Sequence, residues 1–337
     1  MARPVRQLLV LYTGGTIGSQ MTAQGWAPAS GFDRLMAQEQ QRRQLSELPE
    51  WRYQELSPPL DSANMGQSDW LTMRDAIVQG IEQWGADAVL LLHGTDTLAY
   101  SASALAFELL DLPIPVVLTG AMEPAVVHGS DAWPNLFGAM EKLATGQVPA
   151  GVWIFFDGQL LRGVTTSKLA SPERAFTELE RRRDAPIAGA LPAALGYRAR
   201  RSPVNLTVLP LYPGIDGALV NAVLATGVQG LVLECYGSGS GPSEDQALLQ
   251  ALDQAHQRGV VLLAISQCPH GYLSLDDYAA AAAFKGAGLV AGGGLTREAA
   301  LGKLFGLQGL GLPQAEVEHW LTRDLCGEMT DRPLDKQ

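Results

Sequence analysis

Hydroxyls, a carboxylate and a lysine set beside glycines are the groups in this chain whose types and spacing could do chemistry. Three segments place threonine next to glycine just after an apolar run. They are Thr13-Gly14-Gly15-Thr16 after Leu8–Tyr12, His93-Gly94-Thr95-Asp96-Thr97 after Ala88–Leu92, and Thr119-Gly120 after Pro115–Leu118. A fourth segment, Val164-Thr165-Thr166-Ser167-Lys168, brings a lysine. A threonine hydroxyl is a poor nucleophile at neutral pH and needs a base, or a site that eases loss of its proton. Thr95, Asp96 and a desolvated, partly deprotonated lysine contain those parts: the carboxylate orients the lysine, and the lysine takes the proton. Each loop taken singly also reads as a strand-to-helix turn, because Thr and Asp are ordinary helix caps and glycine suits a tight turn. Thr13-Gly14-Gly15-Thr16 lacks the spacing of a dinucleotide or phosphate-binding loop.

The elements that must position these groups follow an α/β rhythm, with short apolar runs alternating with helical patterns, as in βα units on a largely parallel, buried sheet. Strands are predicted at Leu8–Tyr12, Ala88–Leu92, Pro115–Leu118 and Val152–Phe156, then at Leu206–Leu209, Gly230–Cys235 and Val260–Ser266. Helices are predicted at Asp69–Gln83 with Ser68 as cap, and at Leu98–Leu110 capped by Asp96 or Thr97. Further helices are expected near Gly217–Ala225, Ser243–Arg258 and Thr296–Leu307. Val152–Phe156, Asp157-Gly158 and Gln159–Arg162 read as a β-hairpin leading toward Lys168. In open α/β sheets ligands bind beyond the carboxyl ends of the strands, where the threonine loops lie.

A length of 337 residues exceeds what one hydrophobic core usually organises. The alanine-, proline- and arginine-rich stretch from about 185 to 203 is the best linker. We assign a larger N-terminal α/β domain to residues 1–190, a linker to 191–204 and a smaller C-terminal α/β domain to 205–337. With 47% hydrophobic and 18% charged residues, the chain has ample material for buried cores. Its net charge of −11 argues against nucleic acid and anionic membrane surfaces as partners. Cys235, Cys268 and Cys326 are too few and too widely spaced for a disulfide framework, and a reducing cytoplasm fits them best. The five histidines, His270 included, show no metal-ligand spacing, so no metal is expected. The apolar run Leu8–Tyr12 is shorter than a signal-peptide core, and nothing approaches the roughly 18 uninterrupted apolar residues of a membrane helix.

In conjunction the motifs carry a stronger implication. Tyr12-Thr13-Gly14-Gly15-Thr16-Ile17-Gly18, Leu60-Asp61-Ser62, Leu92-His93-Gly94-Thr95-Asp96-Thr97-Leu98-Ala99-Tyr100, Thr119-Gly120 and Arg162-Gly163 through Lys168 occur in this order. Across essentially its whole length the chain resembles the bacterial-type L-asparaginases, specifically their cytoplasmic type I branch. The resemblance implies hydrolysis of L-asparagine to aspartate and ammonia, with no cofactor, by a cytoplasmic homo-oligomer, dimer or tetramer. It implies that Thr16 is the nucleophile that forms an acyl-enzyme, and that Thr95, Asp96 and Lys168 are the second triad. Gly15, Asp61, Ser62, Thr95, Asp96 and Thr119 would bind substrate, Ser62 at the α-carboxylate and Asp96 at the α-amino group.

The chain also departs from the family pattern. Trp26 stands where relatives carry a tyrosine on a mobile lid, and an indole has only an N–H donor, so it cannot serve as a base. Ser240, in the loop Tyr236-Gly237-Ser238-Gly239-Ser240-Gly241, stands where asparagine is common and would contact a neighbouring subunit's site. Glu234 replaces an arginine that in some type I enzymes binds asparagine at a regulatory site; an acid there would repel a carboxylate, which predicts weak or absent allostery. Two other readings stay open: an amidase preferring glutamine or another amide, and a non-catalytic asparagine sensor.

Overall fold

The structure is a computed structural model describing residues 4–170, 174–181 and 185–330. The outermost residues of the two domains assigned from sequence, 1–3 and 331–337, thus lie outside the described residues. The chain forms two compact α/β units, one up to Glu178 and one from Leu179 onward.

In the first unit, β1 (Gln7–Gly14) leads through a single turn of 3-10 helix, Thr16–Gly18, into a hairpin of β2 (Ser19–Thr22) and β3 (Gly25–Pro28). Then come α1 (Phe32–Arg42), β4 (Glu50–Leu60), α2 (Gln67–Gln79), β5 (Ala88–Leu92), α3 (Leu98–Glu108), β6 (Pro115–Thr119) and α4 (Ala132–Ala144). β7 (Gly151–Phe156) and β8 (Gln159–Arg162) are followed by the small ribbon β9 (Thr166–Lys168) and β10 (Phe176–Glu178).

The main sheet has the order β4-β1-β5-β6-β7-β8, parallel except for β8. Its central strands are the expected ones, and β5 is buried throughout, as a continuous apolar run between two helical layers must be. Composition gives β4 away less readily. It is the edge strand, only partly buried, and its Pro58 and Pro59 are tolerated there because an edge strand need not donate on both sides. The β7–β8 turn has Asp157 at φ 48° and Gly158 at φ 72°, the left-handed pair a two-residue hairpin requires.

Two predicted caps differ from the structure. The helix expected to follow Ser68 begins at Gln67, and the Asp69 carboxylate accepts from Gly66 N at 2.8 Å, a stronger cap than a serine hydroxyl. Thr97 does sit at the N-cap of α3, but its hydroxyl donates to Ser62 O at 2.8 Å and does not cap the helix.

The second unit holds a parallel sheet of β11 (Leu206–Pro210), β12 (Gly230–Cys235), β13 (Val261–Ser266) and β14 (Leu289–Ala291). Its helices are α5 (Gly217–Leu224), α6 (Gln246–Gln257), α7 (Ala279–Gly286), α8 (Arg297–Gln308) and α9 (Gln314–Leu321). The stretch read as a linker is tied to this unit: Arg201 Nε donates to Gly306 O at 3.0 Å and Ser202 N to Gly309 O at 2.9 Å. Ahead of it, Ala188 N donates to Asp324 O at 2.9 Å and Ala185 N to Met329 O at 3.3 Å.

That C-terminal segment is held by a fully buried ion pair, Lys303 Nζ to Glu328 Oε1 at 2.8 Å. Burial alone would raise the Glu328 pKa. The Lys303 charge and bond, with the amides of Cys326 and Leu325, outweigh it and hold the carboxyl below its usual range. Stability from this lowered pKa is present at neutral pH and is lost as pH falls through it. Lys303→Met leaves the carboxylate buried without its cation and is expected to destabilise the second unit by about 3–5 kcal/mol, read as a lower denaturant midpoint. An unchanged midpoint would show that the pair does not hold the segment.

Candidate functional site

The parallel strands of the first sheet run β4-β1-β5-β6-β7, so the chain leaves β1 toward one side of the sheet and later returns to build the other. β1 and β5 are neighbours across this reversal, with Tyr12 opposite Leu92. Loops diverging from adjacent carboxyl ends leave a crevice between them. Thr16 follows β1 into this crevice, and Thr95 follows β5.

The two loops touch through backbone. Gly15 has φ 81°, and a Cβ there would fall inside van der Waals contact of Gly94 N and Cα. A Cβ on Gly94 would lie 2.5 Å from Ser62 Oγ and 3.2 Å from Gly15 Cα. Three segments far apart in sequence therefore meet at atoms with no room for a side chain. Gly15 N donates to Leu60 O at 2.9 Å, and Ser19 Oγ to Gly15 O at 3.1 Å, fixing the turn that carries Thr16. Ser62 is buried and opens a short helical turn, which Asp61 caps by accepting from Ala63 N at 3.1 Å.

Lys168, on β9, reaches the same loop. Its Nζ donates to Thr95 Oγ1 at 3.0 Å and to Asp96 Oδ1 at 2.8 Å. Thr95 is buried, Lys168 half-buried, and the Asp96 side chain 63% exposed, so the trio runs from the protein interior to open solvent. Because Thr95 accepts from lysine, its own hydroxyl proton points elsewhere and can be given to a bound molecule. Thr16 is half-buried at the head of its turn.

The other predicted positions are placed less directly. Thr119 is fully buried and its hydroxyl donates to Phe155 O on β7 at 2.7 Å, while its carbonyl accepts from His93 N at 2.9 Å. His93 is buried; burial drives its pKa down to about 4, which keeps the ring neutral. Its Nδ1 lies 2.7 Å from Gly94 O and must carry the proton there, leaving Nε2 without a hydrogen bond among the described residues. The imidazole braces the Thr95 loop from below.

Sequence reasoning passed over Asn135 and Asp131. Asn135 Nδ2 donates to Gly120 O at 3.0 Å and its Oδ1 accepts from Asp157 N at 3.0 Å, while Asp131 accepts from Met122 N at 2.9 Å. They hold the loop after β6 in place. The only signal available in sequence was the general capping preference of these residue types at a helix start.

Of the departures, Trp26 lies on β3 opposite Met21, and the two are 47% and 64% exposed. Ser240 closes a tight turn with Tyr236, Tyr236 N to Ser240 O at 2.9 Å. Glu234 is buried at the end of β12 and takes two bonds from Arg297, at 2.5 and 2.8 Å. Its charge is thus paired with a guanidinium at the start of α8, an arrangement its position in sequence did not indicate. No group of three or more His, Cys, Asp or Glu among the described residues is placed to hold a metal ion.

A doubly wound sheet with two threonine loops at its reversal and a lysine bridging one of them defines an enzyme-like hydroxyl site, and comparison with known proteins gives its class. Residues 7–190 match the asparaginase N-terminal domain, and residues 205–321 the glutaminase/asparaginase C-terminal domain. The chain is 32% identical to L-asparaginase 1 of Escherichia coli over 96% of its own length and 98% of that protein. It is 35% identical to the human 60 kDa lysophospholipase, covering 99% of this chain and 63% of that one. The structure of L-asparaginase I from Vibrio cholerae superposes with a TM-score of 0.84 at 31% identity, covering 96% of this chain and 99% of that one. The chain belongs to the asparaginase family.

Gly94→Ala tests the backbone contact. The added methyl must push Ser62 or Gly15 aside by a distance that displaces reacting groups, so amide hydrolysis should fall by about 100-fold while the protein stays folded. Near-normal turnover would show that the loops need not touch.

Proposed function

We propose that this protein hydrolyses L-asparagine to L-aspartate and ammonia, with Thr16 as nucleophile and Thr95, Asp96 and Lys168 as the supporting triad. The observation that carries the reading is the meeting of the two loops: Lys168 bonds both Thr95 and Asp96, and the backbone contact of Gly15 with Gly94 sets Thr16 beside them. In the first half-reaction the Thr16 oxygen bonds to the side-chain carbonyl carbon and the carbon–nitrogen bond breaks. The Thr16 proton passes through Thr95 to a deprotonated Lys168 and returns by the same route to the nitrogen, which leaves as ammonia. Water then attacks the acyl-Thr16 ester, frees aspartate and restores the hydroxyl. Backbone N–H groups of the two loops would hold the negative charge that develops on the carbonyl oxygen.

Substrate binding is assigned to Gly15, Asp61, Ser62, Thr95, Asp96 and Thr119. Buried Ser62 offers a hydroxyl to the α-carboxylate, and exposed Asp96 offers a carboxylate to the α-ammonium. Asp61 acts by capping the turn that aims Ser62, and Thr119 by supporting the loop from β6. The chemistry calls for no cofactor. The protein is read further as a cytoplasmic homo-oligomer, dimer or tetramer, with Ser240 facing a neighbouring subunit. Among the described residues no helix is long and apolar enough to cross a membrane.

Ammonia release from L-asparagine by the wild type and by Thr16→Ala, Thr95→Ala and Lys168→Met is the decisive measurement. Thr16→Ala should lose at least about 10⁴-fold in turnover. Thr95→Ala and Lys168→Met should each lose about 10²- to 10⁴-fold. An inert wild type, or a Thr16→Ala variant with near-normal turnover, overturns the assignment.

A further inference from the structure

The turn bearing Thr16 runs at once into the β2–β3 hairpin, so whatever closes the root of the hairpin also fixes the turn. The two ends meet where Ala29 N donates to Gly18 O at 3.3 Å. Beneath this closure lies Tyr12, fully buried on β1. Its hydroxyl donates to Ala29 O at 3.1 Å and fills the space a Cβ on Gly18 would need. Burial, helped by the Glu55 charge, pushes the phenol's pKa up, so the hydroxyl stays protonated and remains a donor.

The ring is held as firmly as its hydroxyl. Tyr12 stacks on Phe32, the first residue of α1, at 5.6 Å and on Tyr53 of β4 at 6.1 Å between centroids. Phe32 stacks in turn on Trp133 of α4 at 5.9 Å. Trp133 Nε1 donates to Ala125 O at 3.0 Å, and Ala125 N donates to Ile17 O at 3.2 Å. On the far side, Tyr53 donates its hydroxyl to Glu55 at 3.1 Å, and that carboxylate oxygen also accepts from Gly31 N at 3.0 Å. One stack of rings thus runs beneath the turn, and its polar tips grip backbone on both flanks. Offset stacks of this kind are worth more than their buried area alone.

We infer that Tyr12 is a positioning residue for the reaction: its hydroxyl locks the Gly18–Ala29 closure and so holds in place the turn carrying Thr16. The inference rests on the reading of Thr16 as nucleophile. Tyr12 touches no substrate and acts only through the turn and the hairpin root.

Tyr12→Phe removes the donor and keeps the stack. One hydrogen bond is worth about a two- to tenfold change in an equilibrium, so kcat on asparagine, normalised to folded protein, should fall up to about tenfold with KM within about twofold of wild type. Amide hydrogen exchange at Ala29 should rise by a similar factor. Both changes together support the inference; a normalised kcat within twofold of wild type, or unaltered exchange at the root, overturns it. Should Tyr12→Phe fail to fold, exchange in the wild type decides: the Ala29 amide must be protected at least about tenfold more than those of Ala23 and Gln24 at the hairpin tip, and equal protection overturns the inference. A wild type that releases no ammonia from asparagine defeats the Thr16 reading, while the exchange pattern still judges the lock.

Discussion

The contact between Gly15 and Gly94 is the constraint on which the site depends. β1 and β5 are paired side by side, yet the segments that follow them head to opposite sides of the sheet, and only a close approach at the strand ends keeps their side chains within reach of one molecule. With a Cβ at either position the loops would stand apart by about the width of a methyl group, and reactivity in a preorganised site falls steeply over such distances. The contact sets the Thr16 turn against the Thr95 loop using backbone alone, and neither threonine side chain is spent on it.

The polar groups around this contact divide by environment. His93, sealed beneath it and neutral, serves as a brace: its proton is committed to Gly94 O, and charging it in the interior would cost far more than any role at neutral pH returns. Lys168 and Asp96 sit at the opposite extreme, partly and mostly in solvent. A pair this exposed contributes little to folding stability. Its geometry is better explained by what it does to Thr95, since an accepted bond from lysine sets the direction in which the hydroxyl proton can be given.

Much of this arrangement was legible in sequence. The apolar runs of β1, β5, β6 and β7 declared themselves because strands buried on both faces must be apolar throughout, and the residues just beyond them were site candidates for topological reasons. The parts that escaped were those whose role is fixed by tertiary neighbours. β4 carries two prolines and an uneven pattern because it is an edge strand. Thr97 looked like a cap, but Ser62 O lies within its reach and is the better partner. Asn135 ties the β6 loop to the β7–β8 turn, segments that sequence separation conceals. Glu234 read as a bare charge, and its arginine partner lies 63 positions away.

Trp26 marks where local residue type and family pattern disagree, and the fold indicates how to weigh them. An indole offers a donor and a flat apolar face, and on β3 it pairs across the hairpin with Met21, another side chain that cannot move protons. In the proposed mechanism proton transfer therefore falls to groups outside the hairpin: Thr95 in the loop beyond β5 and Lys168 on the β9–β10 ribbon. The turn carrying Thr16 begins only two residues after β1 and runs directly into the hairpin, and the buried phenol of Tyr12 stands where the two join.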